Sequence, residues 1–207
     1  MARIKAALNQ PGLKIIDEDL FAQSAVLVPL IKANNGGWNV LFQVRAAHLK
    51  RQPGEICFPG GTLDSPSESP HQAAHRETCE ELGLRPEDVS IWGQLGLIIS
   101  PFNLLLFSFV GEIPPVNSLN PSAAEVDSLF TVPLTQLLTL KPESYCISVQ
   151  AEPPADFPFD KIPGGRAYPW HTGVLPEVFY DIDGHIIWGL TARILQQFLA
   201  LVRSNIT

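Results

Sequence analysis

Apolar residues along this chain come in short dense runs broken by Gly, Pro and Asn, and those runs set out most of the expected elements. "SAVLVPLI" (24–31) is continuous and of strand length, as expected of a strand buried on both faces. "KANNGGWNVLFQVR" (32–45) follows, and its Asn-Gly-Gly suits a hairpin turn. "ICFPGG" (56–61) predicts a short strand ending in a Gly-rich turn. "VSIWGQLGLIIS" (89–100) and "LLLFSFVGEI" (104–113) predict two apolar strands, and "SLFTVPLTQLL" (128–138) a strand end leading into a short helix. "SYCISVQ" (144–150) reads as another strand and "VFYDIDGHIIW" (178–188) as a hairpin around Asp183-Gly184. "LTARILQQFLALV" (190–202) has helical period and closes the chain as an amphipathic helix.

The best-marked helix lies between these strands. Ser69 is an N-cap candidate, Pro70 suits the first helical position, and Gln72 completes a capping box. Gly83, with Pro86 shortly after, stops the helix, so it is expected over 70–82. Residues 151–176 differ: six prolines and two adjacent glycines without periodicity predict a long irregular loop, either functional or disordered. The order of elements predicts a layered α/β fold with a mixed, partly antiparallel sheet. With no internal repeat and no low-complexity linker, one domain over 1–207 is expected, its core at about 24–200.

Composition narrows the function classes. The 207 residues carry a net charge of −7, which argues against nucleic-acid binding driven by backbone phosphates. No apolar run approaches the ~20 residues of a membrane span. The N-terminus "MARIKAALNQPGLKIIDEDL" lacks the apolar stretch and cleavage site of a secretory leader, so a cytoplasmic protein is expected. Cys57, Cys79 and Cys146 are odd in number and show no paired spacing, which predicts small buried apolar side chains rather than disulfides or a zinc site. His71 and His75 share the 70–82 helix without metal-pair spacing to other ligands and read as bystanders.

The chemistry concentrates in "HRETCEELGL" (75–84). At about 100° per residue, Glu77, Glu80 and Glu81 fall in one sector of the helix, while Ala74, Thr78 and Leu82 form a face that can pack on a sheet. Like charges at this spacing repel. A generic E-x-x-E-E is most often a solvated acidic face, but a hard divalent cation, Mg²⁺ or Mn²⁺, also accounts for such a ridge. Gly60-Gly61, just upstream, lets backbone approach a ligand closely, and Arg76 supplies a planar fork for Glu68 or for a ligand.

The segment "GTLDSPSESPHQAAHRETCEELGL" resembles the Nudix box of the Nudix hydrolases. Glu68, with seven residues between it and Arg76, matches that pattern, as do Arg76, Glu77, Glu80, Glu81, Gly83 and Leu84. Six residues rather than five separate Gly61 from Glu68, and Thr78 stands where an apolar residue is usual. The resemblance implies an α/β/α sandwich and hydrolysis of a nucleoside diphosphate linked to another group. It implies Mg²⁺ or Mn²⁺ held by Glu77, Glu80, Glu81 and the Gly61 carbonyl, with Glu68 and Gly60 as support. Arg76, Glu80 and Glu81 would serve catalysis. The general base would come from the ridge or from a distal loop, where Glu125 is the candidate.

"LFQVRAAHLKRQPGEICFPGG" (41–61) gathers Arg45, Lys50 and Arg51, which by composition alone is equally a solvated basic loop. The same segment resembles the extra motif of the coenzyme A diphosphatase branch of the family. Leu41, Arg45, Ala46, Gly54, Phe58, Pro59, Gly60 and Gly61 match in register, whereas Phe42, Gln43 and Lys50 replace the usual Leu, Thr and Arg. That resemblance implies coenzyme A or its thioesters as substrate, with Arg45, Lys50 and Arg51 on its phosphates. ADP-ribose, NADH or a dinucleoside polyphosphate is the alternative, and a nucleotide-binding module without turnover a more distant one. A homodimer is compatible with the sequence. Arg166, Tyr168 and Trp170 in "PGGRAYPW" (163–170) are expected either as a wall over the substrate arm or as plain surface loop.

Overall fold

The protein is described from a computed structural model covering residues 15–34 and 36–206. The start of the N-terminal stretch read for a leader, and Asn35 of the expected turn, lie outside the described residues. Ten strands are described: β1 Ala22–Lys32, β2 Trp38–Arg45, β3 Ile56–Cys57, β4 Gly60–Thr62, β5 Ser90–Ser100, β6 Leu104–Glu112, β7 Val126–Pro133, β8 Glu143–Gln150, β9 Thr172–Ile182 and β10 His185–Trp188. Three α-helices accompany them, α1 Pro70–Leu82, α2 Leu134–Thr139 and α3 Gly189–Ile206. Among these, no helix is long and apolar enough to cross a membrane.

Strands β1 to β7 make one mixed sheet in which β1 and β6 run parallel and every other pair runs antiparallel. The continuous apolar run of β1 follows from its position, since both faces are covered. Ala25, Leu27 and Ile31 pack with Ala73, Ala74, Cys79 and Leu82 of α1, whereas Val28 and Leu30 face the other way. Strand β2 divides likewise, Leu41 toward α1, Val40 and Phe42 toward the opposite layer. That opposite layer holds α2, α3 and a second sheet of order β10-β9-β8, which brings Tyr180, Ile187, Leu195 and Leu199 into the core. The α/β layering is as expected. The separate three-stranded sheet is not, because strand pattern carries no information about which strands share a sheet.

Local signals set α1 in place. Ser69 Oγ accepts from the Gln72 backbone N–H at 3.3 Å while Gln72 Oε1 accepts from Ser69 N at 2.9 Å, the reciprocal capping box. Gly83 ends the helix at φ 64°. The carbonyls that the helix end leaves unpaired are satisfied from a distant loop, Asn120 N donating to Leu82 O and Ser122 N to Glu81 O, both at 2.9 Å.

Three readings are corrected. "ICFPGG" forms two strands, β3 against β2 and β4 against β1, because Pro59 has no N–H to continue one ladder. The irregular segment stops at residue 171, since β9 begins at Thr172 and pairs with β8 along its length. Cys146 is exposed on β8 rather than buried, while Cys79 is buried and Cys57 half-buried; none is in a disulfide.

Candidate active site

Four segments meet along the carboxylate side of α1: β4, the residues around Glu68, the loop before β7, and β2. The acidic ridge spans a gradient of burial. Glu80 is open to solvent at 58% side-chain exposure, Glu77 is largely covered, and Glu81 is 4% exposed. Arg76 offsets much of the repulsion. Its guanidinium grips Glu68 in a two-pronged contact at 2.8 and 3.1 Å, reaches Glu77 at 2.8 Å and Glu80 at 3.3 Å, and donates to Thr62 O at 3.1 Å. That hydrogen bonding holds the Glu68 carboxyl below the ordinary carboxylate range and raises the already high Arg76.

Glu81 turns inward. One carboxylate oxygen, Oε2, accepts from the Gly60 backbone N–H and from Gln43 Nε2, both at 2.9 Å. Burial dominates the two hydrogen bonds, and its carboxyl is pushed up to about 7. Glu77 is raised as well, burial outweighing its contact with Arg76. Nearby charge adds to both shifts: Glu125 raises Glu77 and Glu81 and so lies within electrostatic reach of the ridge.

The chain holds Glu125 there with backbone bonds. Ala46 N donates to Glu125 O at 2.9 Å, Glu125 N donates to Ser122 O at 3.0 Å, and the Ser122 N–H caps Glu81 O. The ladder between β2 and β7 slips between Val44 and Arg45, so that Arg45 pairs with Val126 and Asp127 is left over. A bulge of this kind re-aims the strand end that follows Glu125.

Gly60 and Gly61 are required by close approach. A Cβ on Gly61 would collide with the Glu77 carboxylate, and one on Gly60 with Ala25 O and Val26. Hard carboxylate oxygens beside a backbone that a side chain would block fit a hard divalent cation in chemistry. Among the described residues no three His, Cys, Asp or Glu side chains close on one point. Arg76 engages Glu77 and, at longer range, Glu80, and Gln43 with Gly60 engages Glu81, so all three carboxylates have protein partners.

The basic residues are placed unequally. Arg45 follows Gln43 by two positions on β2 and so shares its face. It lies near enough to Cys57 to act on that thiol, which burial nonetheless pushes up to about 11. Arg45 Nη2 reaches Arg51 O at 3.4 Å, and its buried Nε has no partner among the described residues. Lys50 and Arg51 are exposed on the loop after β2, and among the described residues no hydrogen bond or ion pair joins their side chains to the ridge. Arg166, Tyr168 and Trp170 pack within their own loop instead. Arg166 lies 4.6 Å over the Phe159 ring, and Tyr168 and Trp170 meet edge-on at 5.0 Å. The histidines of α1 have structural partners, His75 reaching Pro86 O and His71 meeting Phe109 edge-on.

Sequence reasoning missed Gln43 as part of the site. It is 1% exposed and bonded to a ridge carboxylate. The available signal was its departure from the Thr usual at that position, within the otherwise apolar run 40–44.

Comparisons with known proteins identify the family. The profile of the NUDIX domain matches residues 22–169. A Photorhabdus laumondii protein named uncharacterized Nudix hydrolase NudL is 31% identical over 201 residues, covering 97% of this chain and 95% of that protein. Nudix hydrolase 3 of Caenorhabditis elegans is 35% identical over 136 residues, covering 64% of this chain and 55% of the relative. An Enterobacter NudL is 39% identical over 118 residues, 57% of this chain and 60% of the relative, so the chain spans little more than half the length of these two relatives. Among solved structures, a Nudix hydrolase from M. smegmatis, RenU, aligns at a TM-score of 0.47 and 22% identity over 56% of this chain and 72% of that one.

Proposed function

We infer that this chain, which belongs to the Nudix hydrolase family, hydrolyses the diphosphate bond of coenzyme A or its thioesters to 3′,5′-ADP and (acyl-)4′-phosphopantetheine. The observation that carries the reading is the path of β2. It delivers Gln43 to Glu81 and, two residues on, puts Arg45 on the same strand face, which supports a role for its guanidinium in holding an anionic substrate. Coenzyme A has a 3′-phosphate that ADP-ribose and NADH lack, which gives Arg45, Lys50 and Arg51 a physical purpose near the site.

Glu77, Glu80, Glu81 and the Gly61 carbonyl would hold Mg²⁺ or Mn²⁺. When bound, such an ion supplies charge neutralisation of the diphosphate and acidifies water. Arg76 orients Glu68, Glu77 and Glu80 together, fixing the ridge before substrate arrives. Glu80, open to solvent, and Glu125, within electrostatic reach of the ridge, are the candidates to accept the proton of the attacking water. Glu81, held by two donors, braces β4 against α1.

A substrate panel with Mg²⁺ or Mn²⁺ tests the reading: coenzyme A, an acyl thioester, dephospho-coenzyme A, ADP-ribose, NADH and a dinucleoside tetraphosphate. Coenzyme A or its thioester should turn over with the highest kcat/KM. Arg45→Ala should harm coenzyme A more than dephospho-coenzyme A, and equal loss on both would remove the 3′-phosphate assignment.

A further inference from the structure

A cavity of about 150 Å³ opens where the second sheet meets the start of α3, apart from the carboxylate ridge. Glu177, Leu175, Phe102, Trp188 and Leu190 line it, and Gln52 and Glu55 of the loop after β2 form one wall. Glu177 Oε2 is buried and accepts no hydrogen bond from any described residue. It lies close to the beginning of α3, 3.8 Å from where a Cβ on Gly189 would sit. A buried acceptor without a donor costs free energy, so the cavity is incomplete by itself and calls for an N–H or O–H.

The lining selects what can enter. Two carboxylates, Glu55 and Glu177, stand against one cation, Arg193, so the cavity disfavours a phosphate. Its volume corresponds to roughly five water molecules, enough for one amide unit with flanking methylenes. Nor is it a dead end. Leu175, Glu177 and Phe179 share a face of β9, where Phe179 stacks on Trp188 at 5.9 Å and meets Tyr145 edge-on at 5.7 Å. Trp188 and Tyr145 are exposed, which makes an open apolar track leading away from the cavity. A terminal base would suit a closed end, whereas a chain that continues needs an open one. The link to the phosphates is short: the wall that carries Gln52 and Glu55 also folds on Arg45, Gly54 N donating to Arg45 O at 3.0 Å.

We propose that this cavity binds the neutral, amide-bearing arm of the substrate, Glu177 accepting an amide N–H and the Trp188–Phe179–Tyr145 track carrying any chain beyond it. The proposal rests on the coenzyme A reading above. Glu177→Ala should raise KM for coenzyme A about tenfold, as expected for one lost charged hydrogen bond, with kcat within about twofold. Glu177→Gln keeps an amide oxygen as acceptor and should fall between Ala and wild type. By calorimetry, pantetheine should bind wild type and lose affinity in Glu177→Ala, while 3′,5′-ADP, which lacks the arm, should bind both equally. Trp188→Ala, at an exposed position, serves if Glu177→Ala does not fold, and should weaken a long-chain thioester more than coenzyme A itself. Unchanged pantetheine binding, or equal losses for pantetheine and 3′,5′-ADP, would overturn the subsite while leaving the diphosphatase reading intact. No coenzyme A turnover by wild type would overturn both.

Discussion

Gln43 Nε2 donates to Glu81 Oε2 at 2.9 Å, joining the middle of β2 to the last turn of α1 across 38 residues of sequence. Both side chains are almost fully buried, so this is a charge-assisted hydrogen bond out of reach of bulk water. It fixes the innermost carboxylate of the ridge against the sheet. Gln43 Oε1 has no partner among the described residues, so one end of the amide is committed to Glu81 and the other is left unpaired.

Gln43→Leu should therefore destabilise the metal-free protein by about 1–3 kcal/mol at pH 8, where Glu81 would be buried and ionised with one donor fewer. The loss should shrink at pH 5, where Glu81 is protonated. Urea unfolding at the two pH values measures it, and an equal loss at both would mean that Gln43 acts only by filling space.

Glu81 has a folded-state pKa of about 7 against an ordinary 4.5. A carboxyl raised in this way binds more protons folded than unfolded between those values, so its contribution to stability falls as pH rises from about 4.5 to 7. With chelator present, wild type should lose roughly 3 kcal/mol relative to Glu81→Gln across that window. A flat difference would show that Glu81 is not desolvated as described. By the same linkage, Mg²⁺ or Mn²⁺ uptake should strengthen with pH and release protons below about pH 7.

Glu80 is open to solvent and its contact with Arg76 is long at 3.3 Å. Glu80→Gln should leave the melting temperature within a few degrees of wild type while turnover falls at least a hundredfold and Mn²⁺ binding weakens. Full activity in this variant would remove Glu80 as ligand or base. A chain that binds nucleotide without turnover would show no activity in wild type to lose.

Gly61→Ala places a methyl where the Glu77 carboxylate lies. Displacing Glu77 should lower turnover by two orders of magnitude or more, at a stability cost of about 1–3 kcal/mol for overpacking. Calorimetry with Mn²⁺ should show weakened uptake. Wild-type uptake would argue that Glu77 has room to retreat without loss.

Much of this was readable from the chain. The limits of α1 followed from Ser69, Pro70, Gln72 and Gly83, because a cap is a bond between residues three or four apart. The apolar runs marked β1, β2, β5 and β6 for the same local reason. Arg76 reads as a planar fork for Glu68 or for a ligand, and its guanidinium meets Glu68. Lys50 and Arg51 were grouped with Arg45 by proximity in sequence, yet only Arg45 lies on the strand face that continues toward the ridge. Strand alternation separates neighbours that composition lumps together.

The sequence by itself determined which segments become helix and strand, and that three glutamates share one face of α1. Only the tertiary structure decided that these glutamates differ, one open, one largely covered and one buried on Gln43. It also decided that Glu125 comes to the ridge through Ser122 and Ala46, and that Glu177 ends in a cavity. Periodicity and capping act within a turn or two of chain, so they are written locally. Burial, and the shift in proton affinity it causes, depends on which distant segments pack together, and no short stretch of sequence encodes that.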